Sequence, residues 1–333
     1  MKRRLLAAAV VALGCSPAFH SGPMPGEPRA TYANVAGVRV RYSDRGQGFP
    51  VVLLHGFASS LETWQTVAPT LEREHRVISL DLKGFGWTDR PPGDYSPAAQ
   101  AELVLALLDA RGVDRFHLVA HSWGASVALR LALKKPERIE RIALYDAWVY
   151  EEQLPSTFHF ARADGVGELL FGAFYAERSD EKISQAFYDE RNVSEQLVED
   201  VERALERPGT TAAALAATRG QRFAEIEKRY HEIEKPTLLL WGREDRVTPL
   251  AIGERLVRDL RQAKLVSYPR TGHFPMLEAR AESTRDLAEF LRLAPPSEPP
   301  RAAAPAPKRG SEAVPEAPPQ KSPDAASKPA GGG

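Results

Sequence analysis

The sequence predicts an α/β protein built on a mostly parallel sheet with helices packed on its faces. Short continuous apolar runs, among them Val51–Leu54, Phe116–Ala120 and Thr237–Trp241, suit strands buried on both sides. Segments of helical spacing separate such runs from residue 38 to about 145, the rhythm of repeated βα units. The rhythm then breaks. From Ala147 to Tyr230 apolar residues recur only at helical intervals, and strands resume at Pro236. One sheet interrupted by one helical insertion accounts for the whole pattern.

Composition sets the limits. The chain has 333 residues, 43% hydrophobic and 26% charged, enough for one large domain or two small ones. Lys+Arg and Asp+Glu both number 44, and the basic residues are scattered, so there is no electrostatic footprint for nucleic acid. A small-molecule or lipid partner is expected instead. The N-terminus reads Lys2-Arg3-Arg4, then a short apolar run from Leu5 to Leu13, a signal-peptide pattern too short to span a bilayer. Ala12-Leu13-Gly14-Cys15 resembles the lipobox of bacterial lipoproteins, which implies a signal peptide over 1–14 and lipid attachment at Cys15. An ordinary cleaved signal is the alternative, and either makes the protein exported. A single cysteine excludes an internal disulfide. Residues 15–29 are Pro/Gly/Ser-rich and read as a tether. Residues 295–333, built of Pro, Ala, Ser, Lys and Glu, cannot offset their ordering entropy and read as disordered. The folded unit is therefore about 30–294.

Taken in order, Val38–Tyr42 alternates as a half-exposed strand, and Val51–Leu54 is a buried strand ending at His55-Gly56-Phe57. Ser59-x-x-Glu62 has the form of a capping box. Arg76–Leu80 is the next strand, followed by Asp81-Leu82-Lys83-Gly84-Phe85-Gly86-Trp87-Thr88. That glycine-rich loop lacks a P-loop ending and reads as structural. Ser96-Pro97 caps a helix running to about Asp109. Phe116–Ala120 leads into His121-Ser122-Trp123-Gly124 and an Ala/Leu-rich helix. Arg138–Tyr145 is a strand followed by Asp146. After the insertion, Pro236–Trp241 ends at Gly242-Arg243-Glu244-Asp245-Arg246-Val247-Thr248-Pro249, and Lys264–Tyr268 ends near Gly272-His273-Phe274-Pro275.

These elements together resemble the α/β-hydrolase family. Ala120-x-Ser122-x-Gly124 is similar to its G-x-S-x-G nucleophile elbow, with Ala120 in the first glycine position. His55-Gly56-Phe57 resembles its oxyanion loop, Asp81 to Thr88 its D-x-x-G-x-G-x-S loop, Gly242 to Pro249 its G-x-x-D-x-x-x-P element, and Gly272 to Pro275 its G-H-x-P loop. The resemblance covers nearly all of 30–294. It implies an eight-stranded sheet in two parts, 30–146 and 231–294, with a helical cap over 147–230 inserted after strand 6. It also implies a triad in the order Ser122, Asp245, His273, with the backbone N–H groups of Phe57 and Trp123 as the oxyanion hole. Asp146 is the competing acid, since some family members place theirs there. His121 is expected to pack under the elbow, His55 to brace the oxyanion loop and Glu244 to be a solvated neighbour. Cap aromatics, Phe158, Phe160, Phe171, Phe174, Tyr175, Phe187 and Tyr188, are expected to be mostly cap core, with room to line an apolar pocket.

A serine needs a base to act as a nucleophile, and neutral His273 is suited to take its proton and return it to a leaving group. Asp245 would orient the imidazole. No metal or cofactor is expected, because no His/Cys cluster has ligand spacing. Serine at the elbow disfavours the dehalogenase and epoxide hydrolase branches, which use aspartate. Ser122-Trp123-Gly124 is similar to prolyl aminopeptidases, but those carry H-G-G-P-G where this chain has His55-Gly56-Phe57-Ala58-Ser59. Capped carbon–carbon bond hydrolases have Trp after the histidine, where Phe274 stands. The leading expectation is a serine esterase or thioesterase for a small apolar substrate, with a C–C hydrolase or amidase as alternatives. A noncatalytic binding or signalling protein on the same fold is the reading from another class.

Overall fold

The computed structural model describes residues 17–175 and 179–292. The expected signal peptide over 1–14, Cys15 and the tail 295–333 lie outside the described residues. Among those residues no helix is long and apolar enough to cross a membrane.

Eight strands form one sheet: β1 (Thr31–Val35), β2 (Val38–Arg45), β3 (Phe49–Leu54), β4 (His75–Leu80), β5 (Phe116–His121), β6 (Ile139–Tyr145), β7 (Thr237–Gly242) and β8 (Ala263–Tyr268). Their order is β1-β2-β4-β3-β5-β6-β7-β8. β2 pairs antiparallel with β1 and β4, and every other pairing is parallel. This is the mostly parallel architecture predicted. β1 is the strand the apolar pattern does not signal, because an edge strand buries little. It exists because Ala36 and Gly37 both take positive φ, 50° and 74°, the geometry of a two-residue hairpin turn.

Alternate residues of the parallel strands face opposite sides. Val52, Leu54, Ile78, Leu80, Leu118 and Leu144 pack with helices α1 (Pro97–Ala110) and α2 (Trp123–Lys134). Val51, Leu53, Val77, Val119 and Ala143 pack on the other side with Trp64 and with Leu287 and Leu291 of the C-terminal helix, Arg280–Arg292. Ser96 Oγ accepts from Ala99 N–H at 3.2 Å, capping α1 as the sequence predicts.

Two local expectations change. Ser59 and Glu62 form no capping box. The turn Leu61–Trp64 is 3₁₀, and its entry N–H, Leu61, donates to Asp81 Oδ1 at 2.8 Å, while Glu62 pairs with Arg41. A carboxylate from the tip of β4 supplies the acceptor that a local side chain was expected to give. Residues 17–29, read as an extended tether, lie along the body: His20 and Arg90 exchange backbone hydrogen bonds of 3.0 and 2.8 Å, and Met24 is buried. Proline content alone does not reveal such docking.

Between β6 and β7 every described element is helical: α3 (Ser156–Ala161), α4 (Val166–Phe174), α5 (Ser179–Ala186), α6 (Glu195–Leu205) and α7 (Thr210–Gly220), with short 3₁₀ turns. Final helices α8 (Leu250–Asp259) and α9 (Arg280–Arg292) belong to the core. In and just after α4, Phe171, Leu170 and Tyr175 pack inward against Ala214 and Leu215. Phe171 is buried, whereas Leu169 is 69% and Phe174 55% exposed.

Candidate active site

The candidate residues converge where the parallel strands end, the place an open α/β sheet offers a ligand. Ser122 joins β5 to α2 with φ 51° and ψ −123°, a conformation that persists only where surroundings impose it. They do. Ser122 N–H donates to Tyr145 O at 2.9 Å, and Ser122 O accepts from Trp148 N–H at 3.1 Å. A Cβ on Gly124 would sit 2.4 Å from His55 O, and one on Gly56 3.1 Å from Ser122 Cβ. These glycines let the loop after β3 close against the elbow. Ala120 is fully buried in β5, so its methyl group fits where the family pattern has glycine.

Ser122 Oγ lies 2.9 Å from His273 Nε2, and His273 Nδ1 lies 2.8 Å from Asp245 Oδ2. With Nδ1–H donated to Asp245, Nε2 is left to accept from the serine hydroxyl. Asp245 is saturated with donors: Oδ1 accepts from Val247 N–H at 2.7 Å and Thr248 N–H at 3.0 Å, and Oδ2 accepts from Thr248 Oγ1 at 2.6 Å besides the imidazole. Burial pushes the Asp245 carboxyl up, but the His273 charge and the hydrogen bonds from His273 and Thr248 outweigh it, holding it below the ordinary carboxylate range. All three side chains are buried, with residue exposures of 7%, 5% and 5% for Ser122, Asp245 and His273.

Supporting residues fall where expected. His121 is buried under the elbow and bonds through Nε2 to the His273 carbonyl at 2.8 Å. Burial, then the nearby His273, lowers His121 to about 3. His55 Nε2 accepts from Leu82 N–H at 2.9 Å, and Nδ1 contacts Gly56 O at 2.7 Å, so it ties the loop carrying Phe57 to the start of the next loop. Burial lowers His55 as well. Glu244 is exposed and its carboxylate accepts from Thr271 N–H. The Asp81 loop is structural: Asp81 Oδ2 accepts from Trp87 N–H at 2.7 Å, and Thr88 Oγ1 donates to Asp81 O at 2.8 Å. Trp123 opens α2, so its N–H is among the first-turn donors that a helix leaves without an internal partner. The Phe57 ring packs edge-on against Trp123 at 5.9 Å. The imidazole's carboxylate is Asp245 and not Asp146, whose Oδ1 accepts from Gly242 N–H at 2.9 Å.

An aromatic wall leads from the oxyanion loop into the cap. Phe158 of α3 lies 5.9 Å from Phe57, 6.3 Å from Trp148 and 6.4 Å from Phe171 of α4, and Tyr175 stacks on Phe171 at 5.3 Å. Other expected cap aromatics are not core: Phe160, Phe174 and Tyr188 are 64%, 55% and 41% exposed. A second cap contact reaches the histidine itself. His273 N–H donates to Ala186 O at 2.7 Å, Phe187 stacks on Phe274 at 5.0 Å, and Glu278 accepts from both Gly272 N–H and Tyr188 N–H.

Among the described residues, the one His/Cys/Asp/Glu group with metal-ligand spacing is Asp146, Asp245 and His273. Its Asp245 and His273 atoms already bond one another, so an ion there would compete with that contact. Thr248 and Glu278 are the residues that sequence reading missed. Thr248 had a local signal, a hydroxyl three residues after an aspartate, but Glu278 had none, because it joins the histidine loop at Gly272 to a cap residue, Tyr188, distant in sequence.

The sheet order, the elbow at Ser122 and this Ser–His–Asp hydrogen-bond chain fit an enzyme of the hydrolase class. The chain belongs to the alpha/beta hydrolase fold family, which matches residues 50–280. It is similar to 2-hydroxy-6-oxo-2,4-heptadienoate hydrolase of Pseudomonas putida, with 32% identity covering 77% of this chain and 93% of that one. It is also similar to 2-hydroxy-6-oxo-6-phenylhexa-2,4-dienoate hydrolase of Comamonas testosteroni, with 31% identity over 76% and 91%. Among solved structures, a meta-cleavage product hydrolase from Pseudomonas fluorescens IP01 superimposes with a TM-score of 0.66 at 26% identity, over 78% of this chain and 97% of that chain. These relatives favour the C–C hydrolase alternative over the ester hydrolase expected first.

Proposed function

We propose that this chain is a serine-dependent hydrolase that cleaves a carbon–carbon bond next to a ketone in a small 2-hydroxy-6-oxo-dienoate. The observation that carries the mechanism is the buried Asp245–His273–Ser122 hydrogen-bond chain. The named activities of the relatives support the bond class.

In the substrate's keto form, the 2-hydroxyl proton has gone and C5 has gained one. Ser122 Oγ attacks the C6 carbonyl while His273 Nε2 takes its proton. Phe57 and Trp123 N–H groups stabilise the oxyanion, each such donor being worth roughly 3 kcal/mol. Collapse breaks C5–C6. The electron pair passes through the C3–C4 double bond onto the 2-oxo oxygen, and the proton held by His273 passes to that dienolate, giving a 2-hydroxypenta-2,4-dienoate and neutral His273. Water, activated by His273, then releases a carboxylic acid from Ser122. Asp245 stabilises the imidazolium in both steps. Phe57, Phe158 and Trp148 surround the non-ionic end of the substrate.

One residue favours the ester or thioester reading as the second choice: Phe274 occupies the position where the C–C branch carries Trp. A direct competition separates them. Purified full chain is offered a 2-hydroxy-6-oxo-dienoate and a p-nitrophenyl ester at equal concentration, with Ser122→Ala as control. A kcat/KM at least about 100-fold higher on the dienoate supports C–C cleavage, a difference of roughly 3 kcal/mol in transition-state binding. Ester turnover alone moves the reading to an esterase, and no turnover or fluorophosphonate adduct on folded protein sinks both. We also propose lipid attachment at Cys15 after export. Loss of membrane fractionation in Cys15→Ser supports it, and unchanged fractionation counts against it.

A further inference from the structure

Two carboxylates sit behind His273, and only one of them is explained. Asp146 follows β6 in a left-handed conformation, φ 42°, and is fully buried. That turn aims its carboxyl under the loop after β7, where Oδ1 accepts from Gly242 N–H at 2.9 Å and the backbone carbonyl lies 3.2 Å from Thr248 Oγ1. Oδ2 has no hydrogen-bond partner. An orphaned oxygen in a dry site demands a reason. A carboxylate oxygen of Asp146, one of Asp245 and a ring nitrogen of His273 all lie within 4.8 Å of one another. Two carboxylates that close, removed from water, do not both ionise.

We propose that Asp146 is a neutral carboxylic acid whose proton rides on Oδ2, so that Asp146 and Asp245 together hold one negative charge behind His273. The asymmetry of donors decides which of the two keeps the proton. Asp245 accepts four hydrogen bonds and Asp146 one; donors favour the charged form where they collect. Burial, then the Asp245 charge, pushes Asp146 well above the usual carboxylate range. The other ionisable groups facing this corner agree with that sign. Glu278, which follows the histidine loop, is itself raised by burial, and the Tyr145 hydroxyl beside Asp146 in the chain is pushed up too. Protonation turns the orphan oxygen from an unsatisfied acceptor into a donor beside a charged acceptor.

Asp146 is thus a positioning residue. A second charge there would hold the imidazole in its protonated form, unable to take the serine proton. Its effect on turnover rests on the hydrolase reading above, but its protonation state does not. Infrared spectra of the full chain at pH 7 are compared for wild type and Asp146→Asn, with and without carboxyl-¹³C aspartate. A protonated-carboxyl band that moves with the aspartate label, shifts in D₂O and vanishes in Asp146→Asn is the expected result. The label separates Asp146 from Glu278. In parallel, the fluorophosphonate labelling rate is followed against pH. Asp146→Asn replaces neutral by neutral, so the acid limb of its labelling profile stays within about 0.3 pH unit of wild type. An absent aspartate band, or an acid limb moved down by about one unit or more as loss of a charge beside imidazole requires, overturns the proposal. If Asp146→Asn does not fold, the labelled wild-type band decides. If wild type carries the band but takes no fluorophosphonate, the charge-sharing stands and the hydrolase reading falls.

Discussion

The sheet that holds Ser122 and the cap that covers it are packed to different standards. Val51, Val52, Leu53 and Leu54 of β3 have no exposed surface, and β5 is buried from end to end. In the cap, α6 buries no residue fully and α4 turns Leu169 and Phe174 outward. Close packing leaves the core few alternatives, so it holds Ser122, His273 and Asp245 at hydrogen-bond distance. A loosely packed layer has lower local stability and more freedom to change. On the proposed function, reaction type resides in the core and substrate choice in a few cap side chains. The link between them is narrow: Phe158 on the oxyanion side, Ala186 and Phe187 on the histidine side.

That division can be broken experimentally. The largest effect belongs to Ser122→Ala, expected to lower kcat by about 10⁴–10⁶ and abolish the fluorophosphonate adduct with no change in fold; stopped assays and intact mass measure both. Gly124→Ala strikes the geometry itself, since the new Cβ would meet the His55 carbonyl at 2.4 Å. A loss of about 2–3 kcal/mol in urea unfolding, with labelling slowed by more than tenfold, is the expected outcome. Phe158→Ala tests the cap. It should reduce kcat/KM for a bulky substrate about 10- to 100-fold while leaving labelling by a small fluorophosphonate within about threefold; equal loss on both would mean that the cap shapes the chemistry as well.

A smaller effect concerns acid. The folded His121 titrates at about 3, below its unfolded value of roughly 6.5, so the unfolded chain binds the extra proton first. Its contribution is complete above pH 6.5 and declines as pH falls towards 3. At pH 5 the loss is about 2 kcal/mol, and His121→Gln should recover most of it relative to pH 7 in thermal melts. The smallest expected effect is Leu169→Ser on the outer cap face, within about 0.5 kcal/mol of wild type. A larger drop would show that this face is covered.

Much of the site was legible because chemistry needs particular residues at particular strand ends. Ser122, Asp245 and His273 each stand beside glycines or prolines that make tight turns after apolar runs, and such turns are local. Phe171 against Phe174 shows where reading stops: helical spacing marks an apolar stripe, but which side meets the core depends on α3 and α7. The expected capping box at Ser59 failed for the same reason, since Asp81 arrives from another strand. β1 escaped notice because an edge strand needs a partner more than it needs apolar residues.

The alternation that makes a parallel sheet, the turns that end its strands and the kinds of side chain placed on them can all be read from local sequence. These depend on neighbours within a few residues, through periodicity, backbone freedom and burial. That Asp245 and not Asp146 bonds the imidazole, that Asp146 is sealed beside it, and which cap aromatics turn inward all follow from packing between distant segments. Those outcomes rest on desolvation and on donors brought from distant segments, and no local pattern encodes either.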